Sequence, residues 1–169
     1  LIIVKNVKMI EPTDKIGNIT LYNADCMEVM KKFKDKEFDL AIVDPPYGIN
    51  ASNMNMGNGK RLWDKGKDWD NERPDISYFK ELFRVSQNQI IWGGNYFCNM
   101  LPISRGWIFW DKYNGEGFSF SDGELAWTSF DMVLRKTKNK YKDKNLNIHP
   151  TQKPVKLYEW ILKNYAKEG

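Results

Sequence analysis

The chain has 169 residues, of which 41% are hydrophobic and 28% charged, and a formal net charge of +4; this is the ordinary composition of one soluble globular domain. No segment approaches the roughly 20 apolar residues of a membrane span, and no small-residue cleavage site of a signal peptide follows the short apolar start. Two cysteines without a CxxC pair and a single histidine argue against a metal site and favour a reduced, cytoplasmic protein.

The first part of the chain predicts strands that alternate with helices. A strand over Asn18–Tyr22 precedes a short amphipathic helix over Cys26–Phe33, for which Asp25 is the expected N-cap. The near-continuous apolar run Phe38–Val43 predicts a strand buried on both faces, as in a parallel sheet. It stops at Asp44, where two prolines follow.

The pattern then breaks and resumes. The segment Asn50–Pro74 is rich in Asn, Gly, Lys and Asp and has no clean period, so we expect a long mobile loop. A helix is predicted over Asp75–Ser86. Strands are predicted over Gln89–Trp92 and Trp107–Trp110, with a short helix over Asn95–Leu101 between them.

The last part of the chain predicts strands over Glu124–Phe130 and Met132–Leu134, followed by a helix over Pro154–Ala166 with proline at its start. Strands alternating with helices favour an α/β domain with a mainly parallel sheet. The apolar residues of the last helix that we expect in the core are Val155, Leu157, Tyr158, Trp160, Ile161, Leu162 and Tyr165.

The sharpest feature is the tetrapeptide Asp44-Pro45-Pro46-Tyr47, directly after the Phe38–Val43 strand. In doubly wound sheets, ligands bind outside the carboxyl ends of the strands, which is where this tetrapeptide is expected to lie. Two consecutive prolines also form a rigid turn that needs no amide hydrogens, so a purely structural turn is the alternative interpretation.

The same residues suit the alkylation of an aromatic amine, whose nitrogen is a poor nucleophile because its lone pair is delocalised into the ring. The Asp44 carboxylate and the Pro45 carbonyl can accept both N–H groups and free that lone pair. Tyr47 offers a flat face on which a base can stack. Catalysis would then come mainly from positioning and electrostatics.

The tetrapeptide after an apolar strand resembles the catalytic motif of S-adenosylmethionine-dependent amino-methyltransferases that act on DNA. The resemblance implies a Rossmann-like fold in one catalytic domain, residues 1–169, with Asp44, Pro45, Pro46 and Tyr47 as catalytic residues. Because Asp rather than Ser leads the motif, the expected target is N6 of an adenine flipped out of double-stranded DNA. Methylation of cytosine N4 is the alternative.

Two further segments are similar to cofactor motifs of that family. Asn23-Ala24-Asp25-Cys26 resembles the strand-end segment whose acidic residue, here Asp25, faces the adenine of S-adenosylmethionine. His149-Pro150-Thr151-Gln152-Lys153-Pro154 resembles the motif beside the methionine part of the cofactor, although a structural role for His149 is equally compatible. The implied cofactor contacts are Asp25, Cys26, Asp44, His149, Thr151, Gln152 and Lys153.

The order of the motifs, with the catalytic motif first and the cofactor motif late, resembles the circularly permuted β group of these enzymes. In that group a glycine-rich cofactor loop follows the last helix, so the resemblance implies that this sequence is C-terminally incomplete. This favours a second hypothesis, a catalytically incomplete DNA-binding remnant, whereas the intact motifs favour an enzyme. A restriction endonuclease is a candidate partner, and the oligomeric state is left open.

Basic residues concentrate late in the chain. Between Asp131 and Lys156 there are eight Lys or Arg residues and two Asp, so region 131–148 is a candidate DNA surface, with a solvated loop as the alternative. The residues expected to contact DNA are Arg135, Lys136, Lys138, Lys140, Lys142 and Lys144, with Lys60 and Arg61 of the predicted loop.

Overall fold

The computed structural model describes residues 11–51, 70–113, 121–138 and 152–167, which form a five-stranded sheet with flanking helices and a separate two-stranded hairpin. No helix within these ranges is long and apolar enough to cross a membrane. The elements are β1 (Asp14–Ile16), β2 (Ile19–Leu21), α1 (Cys26–Met30), β3 (Phe38–Val43), α2 (Ile76–Val85), β4 (Ser86–Trp92), a 3₁₀ turn (Gly94–Tyr96), β5 (Trp107–Asp111), β6 (Gly123–Thr128), β7 (Arg135–Lys138) and α3 (Val155–Tyr165).

The larger sheet has the strand order β3-β4-β6-β5-β7. β3 pairs in parallel with β4, and β5 with β7, whereas β6 is antiparallel to both of its neighbours. Four strands therefore point the same way and β6 is reversed, so the expected α/β class is observed with a mixed sheet. The short connection from β5 to β6 suits an antiparallel return rather than a helical crossover.

Two apolar clusters cover the opposite faces of this sheet. Ile90 and Trp92 of β4 pack with Leu157 and Ile161 of α3 on one face. The intervening Ile91 packs on the other face with residues of α2. This alternation follows from the pleat of a strand, which turns successive side chains to opposite faces. The domain therefore has three layers, with β4 in the interior and buried on both sides.

Strand β3 does not have the predicted burial on both faces. Its residues are exposed or half-buried, because β3 is the first strand in the order of the described sheet. Its bounds, Phe38–Val43, are as predicted. The apolar run predicted the strand correctly, but such a run does not indicate whether the strand lies in the interior or at the edge of the sheet.

Two other predictions are wrong in detail. Met132–Leu134 is not a strand; the strand lies at Arg135–Lys138, where Thr137 is buried and the basic residues are exposed. Pairing with β5 selected this segment over the more apolar one. The predicted helix at Asn95–Leu101 is a single 3₁₀ turn at Gly94–Tyr96. The predicted strand at Asn18–Tyr22 is confirmed as β2, Ile19–Leu21, which forms a hairpin with β1. The predicted loop at residues 50–74 falls mostly on 52–69, outside the described residues.

Helix α3 buries a narrower face than predicted. Leu157 and Ile161 lie one turn apart and are fully buried, whereas Val155 is 67% and Leu162 50% exposed. The expectation that every apolar residue of this helix faces the core is therefore wrong for these two. A single stripe at i and i+4 attaches α3 to the sheet.

A pair of leucines on α3 allows this packing to be tested. We expect Leu157→Ala to lower the free energy of unfolding by about 2–5 kcal/mol, because it opens a cavity in a filled core. Leu162→Ala, the matched control, should cost well under about 1 kcal/mol because its side chain is half exposed. Urea unfolding of both variants provides the comparison, and similar losses would contradict the assigned face.

Candidate active site

The sequence-predicted catalytic segment lies at one edge of the sheet. Asp44–Tyr47 follows β3 directly, and Gly93 follows the parallel strand β4. Glu124 lies at the start of β6, which is reversed, so it reaches the same edge. Lys153 lies two residues before α3, next to its N-cap Pro154, and completes the group. The site is thus assembled where strand ends meet, as in other α/β sheets.

The backbone after the two prolines is held by Asp70, a residue that the sequence analysis did not single out. One oxygen of its carboxylate accepts hydrogen bonds from the amides of Tyr47 (2.7 Å) and Gly48 (3.0 Å), and the other from Ala51 (2.9 Å). Asp70 is only 2% exposed, so these bonds offset the cost of burying its charge. The only local signal was the general tendency of Asp to bind backbone amides in turns.

Tyr47 packs among aromatic rings. Its ring stacks on Tyr96, with centroids 4.9 Å apart and planes 17° apart, and meets Phe97 edge-on. Its hydroxyl donates to Asp44 Oδ1 at 2.8 Å and lies 3.3 Å from Glu124 Oε2. Burial, together with the charges of Glu124 and Asp44, raises the pKa of the Tyr47 hydroxyl far above its ordinary value. Tyr47 is therefore neutral, and its single O–H donates to Asp44, the nearer of the two carboxylates.

An ion-pair network centred on the buried Lys153 lies behind Asp44. The Lys153 ammonium is 2.6 Å from Asp44 Oδ2 and 3.1 Å from Glu124 Oε2, and it donates to the Tyr47 hydroxyl at 3.4 Å. Lys112 pairs with the other oxygen of Glu124 at 2.6 Å. Burial raises the pKa of Glu124, but Lys153 and Lys112 more than compensate, and the net pKa is lowered. Two carboxylates are thus balanced by two ammonium groups.

In front of Asp44 lies an open cleft of about 690 Å³. It brings together five residues that the sequence analysis had selected from two separate motifs: Asp25, Cys26, Asp44, Pro45 and Pro46. Asp25 also caps α1, as predicted, by accepting a hydrogen bond from the Met27 amide at 2.7 Å. Burial and the neighbouring Asp25 charge raise the pKa of the Cys26 thiol. The two motifs therefore face one volume.

The opposite wall of the cleft was not predicted. It is formed by residues 72–75, which precede α2, and by Ser77 and Tyr78 of that helix. Burial, followed by the charges of Cys26 and Asp44, raises the pKa of Tyr78. Arg73 donates to the Tyr96 carbonyl at 2.9 Å, which ties this wall to the aromatic stack. These residues belong to no recognisable motif, and only the fold brings them to the cleft. The sequence therefore gave no signal for this wall.

The other predicted site residues are placed as follows. Lys153 is not among the described residues that line the cleft, and Gln152 beside it is half-buried. The basic residues of β7 lie at the far edge of the sheet, where Lys136 pairs with Asp111 at 2.9 Å and Lys138 lies over the Tyr113 ring. The predicted residues outside the described ranges are Lys60, Arg61, Lys140, Lys142, Lys144, His149 and Thr151.

Comparisons with known proteins point to one class. No protein-family model matches the chain. The chain is 22% identical to the Type II methyltransferase M2.MboI of Moraxella bovis over an alignment covering 90% of this chain and 72% of the relative. It is 26% identical to the Type II methyltransferase M2.LlaDCHI of Lactococcus lactis subsp. cremoris, covering 96% and 78%. These weak similarities support a methyltransferase family.

The close packing of Gly93 against Tyr47 gives a test of the site's architecture. Gly93 has φ +68°, and a Cβ there would overlap the Tyr47 ring. Gly17 has φ +58° with nothing within 4 Å of a Cβ, so Gly17→Ala should show only the backbone strain, about 1–2 kcal/mol. Gly93→Ala should cost about 1–3 kcal/mol more because of the overlap, as measured by urea unfolding. Equal losses would show that Tyr47 does not rest on Gly93.

Proposed function

We propose that the protein transfers a methyl group from S-adenosylmethionine to N6 of an adenine flipped out of double-stranded DNA. The similarity to two type II methyltransferases supports the transferase class and a DNA substrate. The observation that carries the finer proposal is the fixed Asp44 carboxylate, which faces the same cleft as Asp25. A restriction endonuclease with the same sequence specificity is the partner that this function implies.

Asp44 is arranged to accept a hydrogen bond from an amino group. Tyr47 donates to its Oδ1 and Lys153 to its Oδ2, which fixes the plane of the carboxylate. Each carboxylate oxygen retains acceptor capacity, since a carboxylate offers about four lone-pair sites. With the Pro45 carbonyl as second acceptor, both N–H groups of a target amine are bound and its lone pair is freed. The negative Asp44 also stabilises the positive charge that develops on the nitrogen.

The cleft suits the proposed methyl donor in size and charge. A volume of about 690 Å³ lies within the range of small-molecule sites. Its lining includes four acidic residues and one arginine, an excess of negative charge that favours a cationic ligand. Asp25 and Cys26 would hold the nucleoside end. When bound, the donor supplies an electrophilic methyl group on a positively charged sulfur.

The aromatic stack bears on how a base would enter. In this structure Tyr47 stacks on Tyr96, which is 36% exposed and belongs to a short 3₁₀ turn. A flipped base therefore either takes the place of Tyr96 or lies at the edge of the pair. In both cases Tyr47 supplies the rigid aromatic surface that base stacking requires.

Methyl transfer to DNA tests the proposal directly. We expect the protein to transfer tritiated methyl groups to duplex DNA and Asp44→Ala to lower kcat by at least about 100-fold, because a positioned electrostatic group is lost. Asp39→Ala is the matched control, since Asp39 lies on the same strand with its side chain 57% exposed. Retention of more than about a tenth of kcat by Asp44→Ala would reject its role.

Nucleoside analysis of the same product separates the candidates. N6-methyladenine in the product supports the proposal. N4-methylcytosine would support a DNA methyltransferase whose target is cytosine instead of adenine. DNA binding without transfer by the wild-type protein would favour the non-catalytic remnant.

The basic edge strand β7 gives a prediction about DNA contact. If Arg135, Lys136 and Lys138 bind phosphates, replacing them together with glutamine should reduce the slope of log K against log salt by about one per lost contact. The ion pair of Lys136 with Asp111 makes that residue the weakest contributor. Lys163→Gln on α3 is the control. An unchanged slope in the triple variant would mean that β7 is only a solvated surface.

A further inference from the structure

We propose that Lys153 is a positioning residue that fixes the Asp44 carboxylate and the Tyr47 hydroxyl, with Glu124 as its second counter-ion, rather than a ligand of the methyl donor. This inference rests on the proposed function, because Asp44 and Tyr47 are the groups that act there. It replaces the cofactor contact that the sequence motif implied for Lys153 with a different role, and it gives Glu124 a role that no motif indicated.

The contacts of the Lys153 ammonium leave little capacity for a ligand. An ammonium group has three N–H donors, and three acceptors surround this one: Asp44 Oδ2, Glu124 Oε2 and the Tyr47 hydroxyl. The ammonium also lies 5.3 Å from the centroid of the Trp92 ring. The side chain is 3% exposed, so a ligand in the cleft meets Asp44 before it meets Lys153.

The charges around Lys153 explain why its ammonium is needed. Asp44 Oδ1 and Glu124 Oε2 lie 2.8 Å and 3.3 Å from the same Tyr47 hydroxyl oxygen, so the two carboxylates are close together. Lys112 neutralises only the far oxygen of Glu124. Without Lys153, two neighbouring carboxylates would share one cation, and one of them would take up a proton at a higher pH than in the wild type.

Among the residues that the structure describes, the two tyrosines that lie near the network do not supply a substitute charge. Burial, followed by the charges of Asp44 and Glu124, raises the pKa of Tyr158 on α3 to about 12. Tyr78 on α2 has its pKa raised, first by burial and then by the charges of Cys26 and Asp44. Both tyrosines are therefore neutral near pH 7. At that pH the ionised network sums to zero only with Lys153 present.

The test uses three variants, and the proposal predicts a different dependence of kcat on pH for each. Lys153→Met keeps the length of the side chain and removes its charge. We expect kcat at pH 7 to fall about 100-fold, because the Asp44 carboxylate loses the ammonium group that fixes its position. The acid limb of the kcat profile should also move to higher pH, because two neighbouring carboxylates then share one cation. Lys153→Met combined with Glu124→Gln removes the repulsion, so its kcat profile should return toward that of the wild type. Glu124→Gln alone should move the acid limb of the profile to lower pH.

The controls separate positioning from cofactor binding. KM for S-adenosylmethionine should change less than about threefold in Lys153→Met, and Lys167→Met, an exposed lysine, should match the wild type. A tenfold rise in KM with an unchanged pH profile would overturn the proposal in favour of a direct contact. An unchanged kcat with only a loss of stability would also overturn it. If Lys153→Met does not fold, an unshifted acid limb in Glu124→Gln overturns it.

The pH dependence of unfolding tests the network without methyl transfer. In Lys153→Met the two carboxylates bind a proton more tightly in the folded state than in the unfolded chain. Such a group stabilises the fold at low pH and loses that contribution as the pH rises through its folded-state titration. Relative to the wild type, Lys153→Met should therefore be most stable near pH 4 and weaken toward pH 7, and adding Glu124→Gln should abolish this trend. If Lys153→Met shows this trend but the wild-type protein transfers no methyl group, only the proposed function is rejected. If Lys153→Met does not show the trend, the proposed network is rejected.

Discussion

The ion pair between Lys153 and Asp44 is the contact on which the site depends, because it joins segments 109 residues apart. One partner ends the edge strand β3 and the other precedes the helix that covers one face of the sheet. Since the Lys153 side chain is 3% exposed and a charge removed from water is costly unless paired, Lys153 requires the carboxylate that Asp44 supplies. The pair therefore constrains both the orientation of a carboxylate and the position of α3.

The surrounding contacts fix the backbone that carries this pair. Asp70 binds three amide groups of the turn after the prolines, and Gly93 leaves room for the ring of Tyr47. Each support comes from a different part of the chain, so the geometry of the turn does not depend on local sequence alone. A site that must hold an acceptor within a few tenths of an ångström benefits from such redundancy.

Sequence patterns gave the local features well. Helix α2, strand β3, the cap at Asp25 and the place of Asp44 at a strand end all follow from periodicity and turn chemistry. The residues that were missed, Asp70, Glu124 and Tyr96, act through partners far along the chain, and such contacts leave no local signature. The same holds for Lys153: its motif was visible, but the pattern could not show that its ammonium points at carboxylates rather than toward the cleft.

The reversed strand β6 has a further consequence for how the site is assembled. Since β5 ends and β6 begins at the same edge, the segment between Asp111 and Gly123 leaves and re-enters the sheet beside the candidate active site. A helical crossover would have carried the chain to the opposite edge first. Lys112 and Glu124 lie at the two ends of this connection, and they pair at 2.6 Å beside Lys153. The reversal of β6 thus brings an ammonium group from the end of one strand and a carboxylate from the start of the next into the same network without a crossover.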